Sequence, residues 1–236
     1  MNLPAEKTRR SLLIGTATAA GWIAATACGS AQHPASAAAP SAEGDEAEEV
    51  SANEDLMREH GALARILLVY EAAIARPSLD PTITAAVHRA ADLVSTFIEQ
   101  YHEKLEEDFI FPLLERAGKH TDLVRTLRAQ HIAGRMVTQN ILGMTAPGTA
   151  TNAAELSHSI QAFVRMYRPH ASREDTVIFP TLHEITSAKQ LRELGDQFED
   201  VEHQRFGKGG FESIVAQVEE LEKTLGIADI AQFTPA

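Results

Sequence analysis

A single cysteine, Cys28, leaves the chain no partner for an internal disulfide, so packing and bound groups must hold the fold together. Aromatic residues are sparse at 6%, and no stretch alternates polar and apolar residues as a half-buried strand would. Lys and Arg number 21 against 33 Asp and Glu, a net charge of −12. That balance excludes a nucleic-acid partner, because gripping phosphates needs clustered cations. The apolar run 12–27 is too short, and too broken by Gly15, Thr16 and Thr18, for a stable membrane span. What remains is 44% hydrophobic, enough to build a real core.

The main positive feature is a sentence written twice. His102-Glu103-Lys104-Leu105-Glu106-Glu107-Asp108-Phe109-Ile110-Phe111-Pro112 returns as His170-Ala171-Ser172-Arg173-Glu174-Asp175-Thr176-Val177-Ile178-Phe179-Pro180. Each copy holds a His, a Glu four residues later, and Ile-Phe-Pro at the same offset. On a helix, positions i and i+4 share one face.

Apolar spacing predicts four long helices, over 52–75, 82–116, 120–143 and 153–185. Leu56, His60, Leu63 and Leu67 mark the inward stripe of the first. Val87, Val94, Ile98, Leu105 and Phe109 mark the second. Leu123, Leu127, His131 and Val137 mark the third, and Ile160, Phe163, Tyr167, His170, Glu174 and Val177 the fourth. Short links between them imply an all-α, antiparallel up-down four-helix bundle over 51–186. Pro112 and Pro180 should each kink or end their helix. Residues 187–236 form additional C-terminal helices that flank the bundle. Residues 28–50, rich in Ala, Ser, Pro and acid, read as a disordered linker.

Each bundle helix thus contributes one inward histidine: His60, His102, His131 and His170. The second and fourth add Glu106 and Glu174. Counting from the helix ends leaves an offset of about 5 residues, roughly 8 Å, between His60 and His102, and the same between His131 and His170. Equal offsets suit a two-fold arrangement. Two carboxylates in a core cost several kcal/mol each unless paired or metal-bound. Mixed His and Glu donors suit a borderline to hard first-row ion such as iron.

The pattern H…HxxxE…H…HxxxE, with Phe-Pro after each HxxxE, resembles the hemerythrin-like, HHE cation-binding family over roughly residues 52–185. The resemblance implies a four-helix bundle with two non-heme iron ions, bridged by carboxylates and an oxo or hydroxo group and capped by terminal histidines. Carried over, the ligands are His60, His102, Glu106, His131, His170 and Glu174. It further implies a small ligand such as O2, peroxide or NO, in binding, sensing or oxidant and iron handling; peroxide or NO reduction would be the enzymatic version. Two departures stand out. Oxygen carriers of the family have HxxxH on the third helix, whereas Arg135 follows His131 here. Their last carboxylate follows its His by five positions, a spacing that Asp175 meets. Glu174 is preferred because it repeats Glu106.

Rival readings are a zinc or copper protein, or a metal-free helical scaffold of the cell envelope. A ferritin-like oxidase needs Glu-x-x-His twice; Glu99 and His102 supply it once, and Tyr167 stands where the second Glu should be. Glu103 and Glu107 read as solvated, and Tyr101 and Tyr167 as core packing. His33, His88, His120, His158 and His183 receive no role. Glu199, Glu202 and His203 form an acidic cluster that reads as a replacement ligand, a second site or a solvated face.

The start of the chain, residues 1–27, reads as an export signal, with Arg9-Arg10 before an apolar stretch. It resembles the twin-arginine type, which implies export of a folded protein to the periplasm or envelope. Cys28 is placed like the acylated cysteine of a lipoprotein, which would give membrane attachment. Ala35-Ser36-Ala37 offers a rival cleavage site.

Overall fold

The computed structural model describes residues 51–235. The export signal, the linker, Cys28 and His33 lie outside the described residues. Among those described, the chain is all helical. Six helices follow in order: α1 (Ala52–Ile74), α2 (81–116), α3 (Thr121–Thr145), α4 (153–185), α5 (Ala188–Phe206) and α6 (Gly210–Leu225), with a 3₁₀ turn at Ile230–Phe233. No described helix is long and apolar enough to cross a membrane.

The helix ends follow from local chemistry. Ser51 and Glu54 close a capping box on α1, and Ser187 and Gln190 repeat it on α5. Asp80 caps α2, whose first residue is Pro81. The α2 terminus curls through Gly118 at φ +64°, with Lys119 N–H bonded to the Leu114 carbonyl and Gly118 N–H to that of Glu115. This closure needs the left-handed region that glycine enters freely.

Helix α1 packs against α2 and α4, α2 against α3, and α3 against α4. Helices α5 and α6 cover α1, and α6 also lies on α2. Arg65 clamps α6 to α1 through both oxygens of Glu222. Phe198 of α5 meets Phe109 edge-on, and Phe206 does the same with Tyr101. The extension is therefore an added layer on one flank of the four longer helices.

Neither Pro112 nor Pro180 ends its helix. Each follows a five-residue π-helical turn, Glu106–Ile110 and Glu174–Ile178. There Phe111 N–H bonds to the Glu106 carbonyl and Phe179 N–H to that of Glu174, five residues back. The wider turn draws the preceding carbonyls away from the proline ring, which relieves the usual clash. It also moves the inward face on by one residue. Ile110 and Ile178 are fully buried, whereas the expected Phe109 and Val177 are half-buried. A third π segment, Val94–His102, fits more residues into each turn and so shortens the climb from Pro81 to His102. Helix α3 runs on past the expected 143 to Thr145. Both changes reduce the offset in level counted from the sequence.

Candidate metal centre

All six residues singled out by the repeat converge at one level of the core. Glu106, His131, His170 and Glu174 each place a ligand atom within 4.8 Å of the others, and so do His60, His102 and Glu106. The Nε2 atoms meet in pairs: His60 with His102 at 3.0 Å, and His131 with His170 at 3.1 Å. Glu106 lies 3.7 Å from His102 Nε2 and 3.5 Å from His131 Nε2. Glu174 lies 3.1 Å from His170 Nε2 and 3.5 Å from His60 Nε2. Each carboxylate therefore faces both imidazole pairs.

The opposite ring nitrogen of every histidine is fixed by an oxygen. His60 Nδ1 is 2.7 Å from Asp175, His102 Nδ1 is 2.8 Å from Glu59, His131 Nδ1 is 3.1 Å from Glu107, and His170 Nδ1 is 2.9 Å from Gln130. These partners obey the repeat. Glu59 and Gln130 each precede the histidine of α1 or α3, and Glu107 and Asp175 each follow a motif glutamate. The Phe of each Ile-Phe-Pro stacks on a histidine of another helix, Phe111 on His131 and Phe179 on His60. A histidine donating through Nδ1 turns an Nε2 lone pair inward. Two lone pairs 3.0 Å apart repel unless a proton or cation sits between them. Two nitrogens about 2.1 Å from one ion, near a right angle, are separated by about 3 Å.

The carboxylates give a second test of fit. Both oxygens of Glu106 and both of Glu174 are buried without a hydrogen-bond partner. Burial and the neighbouring Glu174 push the Glu106 pKa well up. Burial works the same way on Glu174, but His170 and His60 outweigh it and hold that carboxyl below its usual range. The pKa values of the two facing acids are thus driven apart, as they are for like charges in a shared dry site. Burial opposes protonation of His60, yet Asp175 and Glu174 lift its pKa to about 9. Burial and the charge on His60 press His102 down, and burial lowers His131 to about 4. A positive ion among these groups would satisfy all four orphan oxygens and remove the need for a shared proton. The residues fit a metal, and Glu106 and Glu174 each lie within reach of both imidazole pairs.

Glu174 faces the cluster, whereas Asp175 lies behind His60. Glu103 and Glu107 are not solvated. Glu103 is only 1% exposed; it accepts the Tyr167 hydroxyl and pairs with Arg135 at 2.7 Å. Burial raises its pKa to about 8. Glu107 is pulled the other way, its burial outweighed by His131, Lys104 and Arg135. Arg135 stands one turn after His131 and neutralises this acid pair. Tyr167 therefore does more than pack, and Gly134 makes room for it: a Cβ there would overlap the hydroxyl. Tyr101 packs on Phe97 and Phe206.

The other described histidines stay apart from the centre. His88 and His120 bond to Thr145 and Thr181, and His158 and His183 are exposed. His203 lies 3.9 Å from Glu199, and Glu202 accepts the Phe211 backbone N–H near the start of α6. No metal-type group forms there among the described residues. The oxygen partners Glu59, Glu107 and Gln130 were missed as functional residues, although their adjacency to the motif residues is visible in the repeat.

Residues 51–182 match the family of the hemerythrin HHE cation binding domain. An uncharacterized protein of Mycobacterium bovis is 44% identical over 99% of this chain and 93% of its own length. Uncharacterized proteins of two Mycobacterium tuberculosis strains match with the same identity and coverage. No solved structure matches the chain at a significant level.

Proposed function

The chain belongs to the hemerythrin HHE cation binding family, and on that premise we propose that it is an exported di-iron protein that binds or handles O2, peroxide or NO. His60 and His102 on one side and His131 and His170 on the other would hold the metal together with Glu106 and Glu174. The short links favour an antiparallel up-down order for the four helices that carry them. The observation that carries the reading is the four buried carboxylate oxygens that make no hydrogen bond while four Nε2 atoms converge on them. When bound, iron supplies reversible electron transfer and an open position for a small ligand. The chain's own part is to orient the imidazoles from behind, keep bulk water out and offer two acids that the ions hold ionised.

With Arg135 one turn after His131, the third helix brings a cation where a fifth imidazole would stand. Each half-site then has two histidines, a more open arrangement than an oxygen carrier needs, which favours sensing or peroxide and NO chemistry over O2 carriage. Export rests on Arg9-Arg10 and the apolar stretch after it, and attachment to a membrane rests on Cys28. Metal content and the visible spectrum of natively purified protein test the reading. Two irons per chain, with absorption at the ultraviolet edge of the visible that changes on adding peroxide, is the expected result. Stoichiometric zinc without iron would overturn it.

A further inference from the structure

The two-fold relation between the halves breaks down at their seams. On α2 and α3, Glu103 stands one residue after His102 and Arg135 four after His131; the two form an ion pair that bridges the helices. The equivalent positions on α4 and α1 are Ala171, one after His170, and Ala64, four after His60. Small side chains replace the ion pair, and the seam opens into a groove of about 500 Å³. His60, Tyr167 and Asp175 line it together with Gly61, Ala64 and Ala171. His60 is also the most exposed of the six candidate ligands, at 5%, while Glu106, His131 and Glu174 are at 0%.

We propose that this α1–α4 groove is the door through which a small uncharged solute of the O2, NO or peroxide class reaches the centre, and that the Glu103–Arg135 pair bars the equivalent door. The inference rests on the di-iron reading above. Leu63, Leu67 and Leu68 make the lining mostly apolar, with Arg168, Ser172 and Asp175 as polar members, and the apolar part admits neutral molecules at little cost. Otherwise equal half-sites thus become unequal: the His60–His102 side meets incoming solute first.

The test copies the bar onto the open seam. The double variant Ala64→Arg with Ala171→Glu reproduces the pair seen on the other side. Gly61→Leu closes the groove independently; a Cβ at Gly61 meets nothing within 4 Å, and losing a mid-helix glycine favours folding. Nitric oxide is mixed with the reduced, iron-loaded protein in stopped flow. Both variants should keep full iron content and equilibrium affinity while association and dissociation slow together, by about tenfold, as expected of a gate rather than a ligand. Gly143→Leu, also in open space but on α3, should leave the rates alone. Unchanged rates in both groove variants at full iron content would overturn the proposal.

A second readout needs no metal. Dissolved O2 should enhance methyl NMR relaxation of Leu63 and Leu67, which line the groove, more than that of the buried Leu127 on α3, which does not. Equal enhancement would overturn the groove reading. If the wild-type chain holds no iron, the proposed function falls on its own and the methyl measurement still decides the groove.

Discussion

The His60–His102 half and the His131–His170 half present nearly the same atoms inward and different atoms outward. Inside, both have Nε2 pairs about 3 Å apart and a shared pair of glutamates. Behind them, Glu59 and Asp175 back one half, whereas Gln130 and Glu107 back the other, with Arg135 close by. The duplicated hairpin keeps what a cation would require and varies what controls charge and access. Identity of chemistry lives in the inward atoms; individuality lives one layer out.

The harshest way to break the comparison is to remove one imidazole from each half. His102→Ala and His170→Ala should each lower bound iron sharply, measured by elemental analysis, while His158→Ala leaves it unchanged. Equal metal in all three would refute the ligand assignment. Next in size is Arg135→Ala, which takes the cation from Glu103 and leaves Glu107 only Lys104 and His131. A loss of about 2–3 kcal/mol in urea unfolding is expected, below the full cost of a deeply buried pair because Arg135 is partly exposed. Asp175→Asn tests the outer layer of the first half. It keeps a hydrogen-bond acceptor but removes the charge behind His60, so metal retention against a chelator should weaken by about tenfold.

The smallest effect is a pH dependence. Burial raises the pKa of Glu99, partly opposed by Thr138 and Arg135. An unfolded Glu99 ionises in the ordinary range and the folded one higher, so stability falls as pH climbs between the two. Glu99→Gln should therefore raise the melting temperature at pH 8, by about 1 kcal/mol equivalent, and the gain should vanish near pH 4. A constant gain across that range would remove Glu99 from the account.

Much of this was legible before any coordinates. The 3.6-residue stripes located four long helices to within a residue or two, and the duplicated His-x-x-x-Glu named the residues that meet in the core. Three things were not legible. Pro112 and Pro180 suggested breaks, because periodicity cannot show a π turn that opens around a proline. Glu103 looked solvated because its partners, Tyr167 and Arg135, come from helices far away in sequence. Gly134 carried no signal at all; its role exists only because a tyrosine hydroxyl from α4 crosses over it.

The imidazole contacts have a topological consequence. His60 on α1 leans on α4, His170 on α4 leans on α3, His131 on α3 leans on α2, and His102 on α2 leans back on α1. The four bonds form a closed circuit around the bundle axis. No helix can be withdrawn without loosening its neighbour's grip, so neither hairpin is a working half on its own. A chain cut between α3 and α4 should lose both half-sites together rather than one at a time.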